Sequence, residues 1–354
     1  MVVTESGATA GIIRPAELLQ GMELNRKWRV TEQLVRSPDA TGGNFSIPYA
    51  VEGIGETNLG YVGFLKALDL SVVGDMPFPV ADAFQLVTQA YVFERDLVLD
   101  CASRNMRNVV VGLDAGEVVV DQPGVNPILK SVPYIVFERA DGDVRALMEQ
   151  KISSFDAAWI FRVLHGTANG LRQLHQAGIS HQDLKPSNVM SFGEVAKIGD
   201  LGCASVQGES GLFDQGNFAG DRSYAPPEFL YGEINGDDRA RRRAGDMYQL
   251  GSMLVFLFSG AGLTPLIGAE LDPAFHWRIW PRDYRNVLPF LRDAFDEVVD
   301  LLALSVPKEL RTDVVRLVRE LCDPDPLLRG KPEGSGGNSP ISNGTIHFSF
   351  RSAG

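Results

Sequence analysis

Cysteine is scarce in this chain of 354 residues. Its three cysteines, Cys101, Cys203 and Cys322, form no CxxC pair and are too few for a disulfide framework. The sequence therefore excludes a disulfide-stapled secreted module. A reducing environment fits best, and we expect a cytoplasmic location.

Positive charge is also in deficit, because 33 Lys and Arg residues stand against 45 Asp and Glu residues, for a net charge of -12. Such a surface repels a phosphate backbone unless basic side chains gather on one face, so nucleic-acid binding is disfavoured. The N-terminus lacks the basic and apolar regions of a secretory signal. The longest apolar stretch, 253–267, is broken by Ser, Gly and Pro, and we expect a buried core helix there and no membrane span.

The composition is otherwise that of a globular protein, with 44% hydrophobic and 22% charged residues over a length that suits two lobes. Up to about residue 137, short β-rich runs are bounded by turn residues, which is typical of an antiparallel sheet. Those runs cover 28–34, 61–70, 109–113 and 134–137. Later apolar residues recur at helical spacing, over 155–176, 245–258, 290–304 and 309–322.

One helical pattern, Asp82–Cys101, interrupts the β-rich half. Val87, Tyr91 and Val98 recur on its apolar face, and Glu94 falls on that same face. A carboxylate that points inward needs a cation or hydrogen-bond donors as a partner. The periodicity alone therefore predicts a buried partner for Glu94.

Two short stretches, HQDLKPSNV and a later GDLG, carry the side chains that phosphoryl transfer requires. That reaction needs an aligned acceptor oxygen, metal ions that bridge the phosphates and cations that neutralise charge. Asp183 can orient the acceptor hydroxyl, and Lys185 can neutralise the transferring phosphoryl group. Asn188 and Asp200 offer hard oxygen ligands that suit Mg²⁺, with Mn²⁺ as an alternative ion.

In these motifs the sequence resembles the eukaryotic-type Ser/Thr protein kinase family, as a stand-alone kinase of the bacterial kind. APPE, which ends at Glu228, is similar to the end of the family's activation segment, and DMYQLG, which begins at Asp246, to the start of its central helix. Arg329 resembles the arginine that pairs with the activation-segment glutamate. The resemblance covers roughly residues 28–332.

The family implies an α+β, bilobal fold with a β-rich N-lobe and a helical C-lobe. On this basis we expect a leader at 1–27, with one possible helical turn, and a five-stranded N-lobe at 28–138. The C-lobe is then expected at 139–332, followed by a flexible tail at 333–354.

The resemblance also implies an ATP site. Lys66, in GFLKAL, resembles the strand lysine that contacts the phosphates, and Glu94 is its expected partner, in agreement with the periodicity. Phe137 resembles the gatekeeper, and the backbone of Glu138 and Ala140 is expected to bond adenine.

Two further nucleotide contacts follow from the resemblance. Asp143, directly after the polar hinge at 138–141 that follows the strand, is expected to reach the ribose. The phosphate loop is assigned to 41–46 (TGGNFS), with Gly43 and Phe45 as its contacts. The rival GIG at 53–55 lies too close to Lys66 for two strands, so 53–58 is expected to be a turn.

Among the positions that depart from the family pattern, two change the charge near the site. Gln182 replaces an arginine, which leaves the cationic pocket for a phosphorylated activation segment incomplete. Asp221 replaces a hydroxyl residue, and its carboxylate is expected to pair with Lys185 or Arg222. The basic run 239–243 is expected to be a solvated surface paired with neighbouring aspartates.

The expected activity is transfer of the ATP γ-phosphoryl group to Ser or Thr hydroxyls of a protein substrate, with Asp183, Lys185, Lys66 and Glu94 as the catalytic set. Two alternatives stay open. A pseudokinase scaffold would bind nucleotide and partners without turnover, and it is favoured by Asp221 and by the loop 41–46, which keeps only Gly43 of the family's GxGxxG pattern. A kinase-like small-molecule phosphotransferase shares the aspartate and metal chemistry, but it would not be expected to carry the DLKPSN and PPE segments.

Overall fold

The computed structural model describes residues 13–35, 45–150, 156–208, 218–233, 238–280 and 283–330. The contacts between residues divide the chain into two units. The small unit comprises residues 1–95 and 111–139, and the large unit comprises residues 96–110 and 140–354. The expected tail at 333–354 and Gly43 of the expected phosphate loop lie outside the described residues.

An antiparallel six-stranded sheet forms the centre of the small unit, in the order β1-β2-β3-β4-β6-β5. The strands are β1 Glu23–Leu24, β2 Trp28–Gln33, β3 Ser46–Gly53, β4 Val62–Leu68, β5 Gly112–Val119 and β6 Ser131–Glu138. The strand predicted at 109–113 begins only at Gly112. Val109 and Val110 belong to the large unit, where they pair with Ile198. Residues 54–60 form the expected turn between β3 and β4.

The stretch expected to be a leader belongs in part to this unit. Pro15–Glu17 forms one 3₁₀ turn, and β1 pairs with β2 to add a sixth strand to the expected five. Leu19 and Leu24 are fully buried in the core of the sheet, and the Tyr49 hydroxyl donates to the Ala16 carbonyl at 2.7 Å. The structure therefore places residues 13–27 within the fold rather than ahead of it.

Helix α1 runs from Val80 to Ser103, as the pattern over 82–101 predicts. Its buried face carries Val87 and Val98, and the Tyr91 hydroxyl donates to the Tyr134 carbonyl on β6 at 3.0 Å. This contact fixes the rotation of the helix against the sheet. It follows that Glu94, one turn along from Tyr91, also faces inward.

The large unit is mainly helical, which confirms the α+β class with a β-rich N-terminal part and a helical C-terminal part. Its helices are α2 Val144–Gln150, α3 Ala157–Gln176, α4 Pro227–Leu230, α5 Asp238–Ser259, α6 Leu263–Glu270, α7 Tyr284–Ser305 and α8 Lys308–Cys322. Short strands accompany them: β7 Gly142–Asp143, β8 Ile179–Ser180, β9 Val189–Phe192, β10 Val195–Ile198 and β11 Ser205–Val206. The four predicted helices correspond to α3, α5, α7 and α8.

Helix α5 is the centre of this unit and contacts α3, α6, α7 and α8. Its last turns bury Met253, Leu254, Val255 and Leu257 almost completely, as expected for a core helix. No single helix in the described part of the chain is long and apolar enough to cross a membrane. The bent pair 239–259 and 263–270, with an angle of 80° at the break, passes the same test of length and composition.

Candidate active site

Strand β4 of the small unit carries Lys66 beside helix α1. The Lys66 ammonium donates to Glu94 Oε1 at 2.7 Å and to Glu94 Oε2 at 2.8 Å. Both side chains are mostly shielded from water, with 20% and 10% exposed. The partner predicted for Glu94 from periodicity is therefore present, and the pair forms within one unit.

Two aromatic side chains share the sheet face of Lys66. Strand register sets Phe64 opposite Phe137, so that their rings lie 6.3 Å apart. Antiparallel neighbours that pair directly point to the same face, and Phe64 and Lys66, two residues apart, do so too. Phe137, the expected gatekeeper, is buried; the sequence analysis did not single out Phe64.

The other expected nucleotide contacts have local structural partners. Glu138 donates its backbone N–H to the Val111 carbonyl at 3.1 Å, and its Oε1 accepts from the Val111 N–H at 2.8 Å. Asp143 Oδ1 accepts from the Ala146 N–H at 3.0 Å and so caps helix α2. Ala140 lies just before β7, and Phe45, 37% exposed, lies just before β3. Their roles toward ATP stay predictions.

The predicted catalytic loop of the large unit, residues 181–188, gathers three predicted site residues around one carboxylate. Lys185 Nζ lies 3.0 Å from Asp183 Oδ2. The Asn188 amide donates to the same oxygen at 3.0 Å and to the Asp183 carbonyl at 2.8 Å. All three residues are buried, so a fixed network sets the direction of the Asp183 carboxylate.

Asp221 joins this network through both its backbone and its side chain. Its N–H donates to Asp183 Oδ1 at 2.7 Å, and its Oδ2 lies 3.7 Å from Lys185 Nζ. Of the two expected partners, Lys185 is therefore the one whose charge it faces. Burial raises the pKa of Asp221, but hydrogen bonds from Ser223 and the cations Lys185 and Arg145 outweigh it, and the pKa is lowered overall.

The hairpin of β9 and β10 brings the two predicted metal ligands together. Val189 pairs with Ile198, and the Gly199 N–H donates to the Asn188 carbonyl at 2.8 Å. Asp200 is therefore the next residue after Gly199, whose backbone is hydrogen-bonded to Asn188. Asp200 adopts a left-handed backbone, with φ of 55°.

These two residues fit a divalent metal ion. The Asn188 amide nitrogen is turned toward Asp183, so the side-chain oxygen is its ligand atom. Within the described residues no group of three His, Cys, Asp or Glu side chains could hold a metal. Mg²⁺ is commonly held by one or two protein oxygens together with substrate phosphates, so the pair suits an ion that arrives with a nucleotide.

Helix α5 anchors the catalytic loop from below. Asp246 accepts the backbone N–H groups of His181 and Gln182 at 2.9 and 2.8 Å, and His175 Nε2 lies 2.7 Å from the same carboxylate. Gln249 Oε1 accepts from the Leu184 N–H at 3.1 Å. The loop that carries Asp183 is thus held by hydrogen bonds to two fully buried side chains of helix α5, Asp246 and Gln249.

The basic run 239–243 is only in part the solvated surface that its composition predicts, because Arg239 is exposed and the later arginines are not. Arg242 is only 6% exposed and donates to Gln182 Oε1 at 3.2 Å. Arg243 donates to the His175 carbonyl, and Arg241 lies over the Phe229 ring at 5.2 Å. The prediction was wrong for Arg241, Arg242 and Arg243, because helix α5, which begins at residue 238, places them against Phe229, Gln182 and His175.

Two residues at the site escaped the sequence analysis. A side chain at Gly220 would collide with the Gln182 carbonyl and lie 2.8 Å from Asp183 Oδ1, so only glycine allows this close approach. Arg145 on α2 lies near Asp221 and Tyr224; burial raises the pKa of each, and the positive charge of Arg145 opposes this by favouring the ionised form. No local pattern marks either residue, because both contacts join distant parts of the chain.

The predicted pair of Glu228 and Arg329 is present and fully buried. Arg329 Nη1 lies 2.6 Å from Glu228 Oε1, and Nη2 lies 2.7 Å from Oε2. This two-pronged geometry is the one in which arginine binds a carboxylate most specifically. It joins the segment at the start of α4 to the chain that follows α8.

Comparison with known proteins agrees with this geometry. Residues 109–330 match the family model of the protein kinase domain. Because the match spans more than half of the chain, the chain belongs to the protein kinase family, a class of transferases.

The chain is also similar to individual kinases. It is 30% identical to a Wee1-like protein kinase of Arabidopsis thaliana over 131 residues, which are 37% of this chain and 24% of that protein. It is 26% identical to the serine/threonine-protein kinase SSN3 of Phaeosphaeria nodorum over 280 residues, 73% of this chain and 54% of that protein. A probable serine/threonine-protein kinase of Streptomyces coelicolor is 33% identical over 244 residues, 66% of this chain and 33% of that protein. The chain thus spans about half or less of the length of these relatives.

Proposed function

We propose that this chain transfers the γ-phosphoryl group of ATP to Ser or Thr hydroxyls of a protein substrate, with Mg²⁺ or Mn²⁺ as the metal ion. The observation that carries the proposal is the fixed carboxylate of Asp183, which contacts Lys185, Asn188 and the Asp221 N–H. A buried carboxylate held in this way is suited to orient an acceptor hydroxyl.

The chain's own residues would divide the work. Asp183 accepts the hydrogen bond of the acceptor hydroxyl, and Lys185 places a positive charge beside it, where the phosphoryl group accumulates negative charge. Lys66, held by Glu94, would bind the phosphates of ATP. When bound, the metal ion would neutralise the phosphates, and Asn188 and Asp200 are the residues that would hold it.

The choice of acceptor and surroundings is part of the proposal. The names of the relatives support Ser/Thr specificity, as does Lys185 in the DLKPSN motif. The net charge of -12 supports a protein partner rather than a nucleic acid, and the low cysteine content supports a cytoplasmic location. We also propose the boundary between N-lobe and C-lobe at residues 138 and 139 that the sequence predicts, with residues 13–27 as part of the N-lobe.

Radiolabelled ATP with a divalent metal ion and a Ser/Thr-rich acceptor protein tests the proposal. The wild type should place label on serine or threonine. Asp183→Ala should abolish transfer and retain ATP binding in a thermal-shift assay, because Asp183 acts on the acceptor. Asp293→Ala, an exposed aspartate on α7, is the matched control and should remain active. Equal turnover in the wild type and Asp183→Ala would overturn the assignment.

One observation favours a scaffold without turnover as the second candidate. The Asp221 carboxylate offsets part of the positive charge of Lys185. Less of that charge is then left to stabilise the transferring phosphoryl group. A wild-type protein that binds ATP and transfers no label would support this alternative. The restoration of transfer by Asp221→Thr would then identify Asp221 as the cause.

A further inference from the structure

The residue before the proposed catalytic aspartate has all of its polar groups engaged. The Gln182 N–H donates to Asp246 Oδ1 at 2.8 Å, and its carbonyl accepts from Gln249 Nε2 at 3.0 Å. Its side-chain Oε1 accepts from Arg242 at 3.2 Å, and its Nε2 donates to the Cys203 carbonyl at 3.0 Å. Three of these four contacts are to side chains of helix α5, and the fourth is to the backbone of Cys203, outside that helix.

The backbone of Gln182 is also unusual. Its φ of 65° lies in the left-handed region, which is uncommon for residues other than glycine. Such a conformation persists where the surrounding contacts determine it. Asp246 and Gln249 supply those contacts, one to the N–H and one to the carbonyl of Gln182. The direction of the Gln182 side chain is therefore fixed as well as its hydrogen bonds.

The contact to Cys203 links the catalytic loop to the segment that carries the proposed metal ligand. Residues 201–203 form a 3₁₀ turn directly after Asp200, closed by the Ala204 N–H bonded to the Leu201 carbonyl at 3.0 Å. The carbonyl of Cys203 is at the end of that turn. The Gln182 side chain is thus a direct bridge between the residue before Asp183 and the turn after Asp200.

We propose that Gln182 is a positioning residue, which holds the turn after Asp200 in register with Asp183 and takes its orientation from Arg242. This inference rests on the proposed function, because it assigns Gln182 a share in aligning the two halves of the phosphoryl-transfer site. Arg242 can only donate, so it selects the amide orientation in which Oε1 faces helix α5. That orientation turns the amide N–H toward Cys203.

The bridge requires the amide of Gln182, so it can be tested by a substitution that replaces the amide nitrogen with an oxygen. Gln182→Glu keeps the acceptor that faces Arg242 and adds an ion pair there, but it removes the donor that faces Cys203 and brings a carboxylate against a carbonyl. Gln182→Met removes both contacts and keeps the length of the side chain. Gln85→Glu is the matched control, since Gln85 is exposed on α1.

For Gln182→Glu we expect kcat to fall about tenfold, which corresponds to roughly 1.4 kcal/mol and is comparable to one lost hydrogen bond. The KM for ATP should stay within about twofold, and the temperature of unfolding should not fall. Amide hydrogens of residues 201–204 should exchange faster than in the wild type. Gln182→Met should lose at least as much turnover, and Gln85→Glu should match the wild type.

The proposal is overturned if Gln182→Glu keeps wild-type kcat and wild-type hydrogen exchange at 201–204. If Gln182→Glu unfolds before it can be assayed, Gln182→Met carries the same test. A wild type that shows no transfer contradicts the proposed function instead. Hydrogen exchange at 201–204 then still decides the bridge by itself, because it needs no turnover.

Discussion

Lys66 and Glu94 form a two-pronged contact in which one ammonium group reaches both oxygens of one carboxylate, at 2.7 and 2.8 Å. Strand β4 supplies the cation and helix α1 supplies the anion. The pair is mostly shielded from water, so its geometry is held more firmly than that of an exposed ion pair. The position of the ammonium therefore depends on the carboxylate.

Replacement of that carboxylate should impair ATP use more than stability. In Glu94→Gln one acceptor remains, but the negative charge that fixes Lys66 is lost. Without it, the misplaced ammonium should stabilise the transition state less, by about 1 to 3 kcal/mol. We expect kcat/KM for ATP to fall by roughly 5- to 150-fold. Steady-state kinetics at saturating acceptor protein measure this, with the exposed Glu32→Gln on β2 as the control. Equal kinetics in the two variants would contradict the role given to Glu94.

Gly220 provides a steric test of the catalytic loop. Alanine there would place Cβ against the Gln182 carbonyl and 2.8 Å from Asp183 Oδ1. The loop must shift to relieve this overlap, and overpacking of this kind costs about 1 to 3 kcal/mol. We expect Gly220→Ala to lower kcat at least about tenfold and to lower the unfolding free energy.

The control for this substitution is Gly74→Ala, because a Cβ at Gly74 meets no atom within 4 Å. Turnover assays and urea unfolding of both variants check the prediction. A Gly220→Ala protein as active and as stable as Gly74→Ala would show that the close approach to Asp183 has no functional weight.

The sequence was sufficient for the parts of the site that local spacing determines. Asp183, Lys185 and Asn188 lie within six residues, and their order alone predicts a shared task. Glu94 was identified as an inward carboxylate because helical periodicity reports the buried face directly. The pairing with Lys66 then came from the resemblance to the kinase family, which names a strand lysine as the partner of this glutamate.

Contacts between distant parts of the chain could not be read in the same way. Arg242 lies in a run of charges that looks solvated, and it is buried only because α5 passes beneath the catalytic loop. Residues 13–27 contain only a three-residue 3₁₀ turn and the two-residue strand β1, which are too short to show a period, yet Leu19 and Leu24 complete the core of the sheet. Gly220 is one of 37 glycines, and its role appears only when Asp183 is placed beside it.

Asp221 predicts a pH dependence of stability with a definite sign. Its pKa is lowered in the folded protein although burial opposes this, because Ser223, Lys185 and Arg145 favour the charged form. A lowered folded-state pKa contributes stability above the pKa of the unfolded chain, near 3.9, and this contribution is lost as the pH falls further. Asp221→Asn should therefore be less stable than the wild type at pH 7.

The difference between the two proteins should shrink as the pH falls below about 4. Asparagine also caps a helical turn, so the contact to Ser223 is retained and the comparison isolates the charge. Urea unfolding between pH 3 and 7 provides the measurement, with Asp293→Asn as the control for the loss of one negative charge. A difference that grows toward low pH would contradict the stated cause.

The buried pair of Glu228 and Arg329 predicts the largest loss of stability. Burial lowers the pKa of Arg329, but Glu228 more than compensates and the pKa is raised overall, so the guanidinium stays charged in the interior. Removal of one partner leaves the other charge buried and unpaired, at a cost of about 3 to 5 kcal/mol. Arg329→Met and Glu228→Gln should therefore each unfold at much lower urea concentration than the wild type.

In each single variant, the loss of unfolding free energy arises from the charge that stays buried without a partner. It does not arise from the loss of the attraction between Glu228 and Arg329. The double variant Glu228→Leu with Arg329→Met leaves no charge behind, so it should recover much of the stability lost in Arg329→Met. Arg316→Met is the control: it breaks an exposed pair with Glu320 and should cost no more than about 1 kcal/mol. A double variant less stable than both single variants would mean that the pair itself stabilises the link between the start of α4 and the chain after α8.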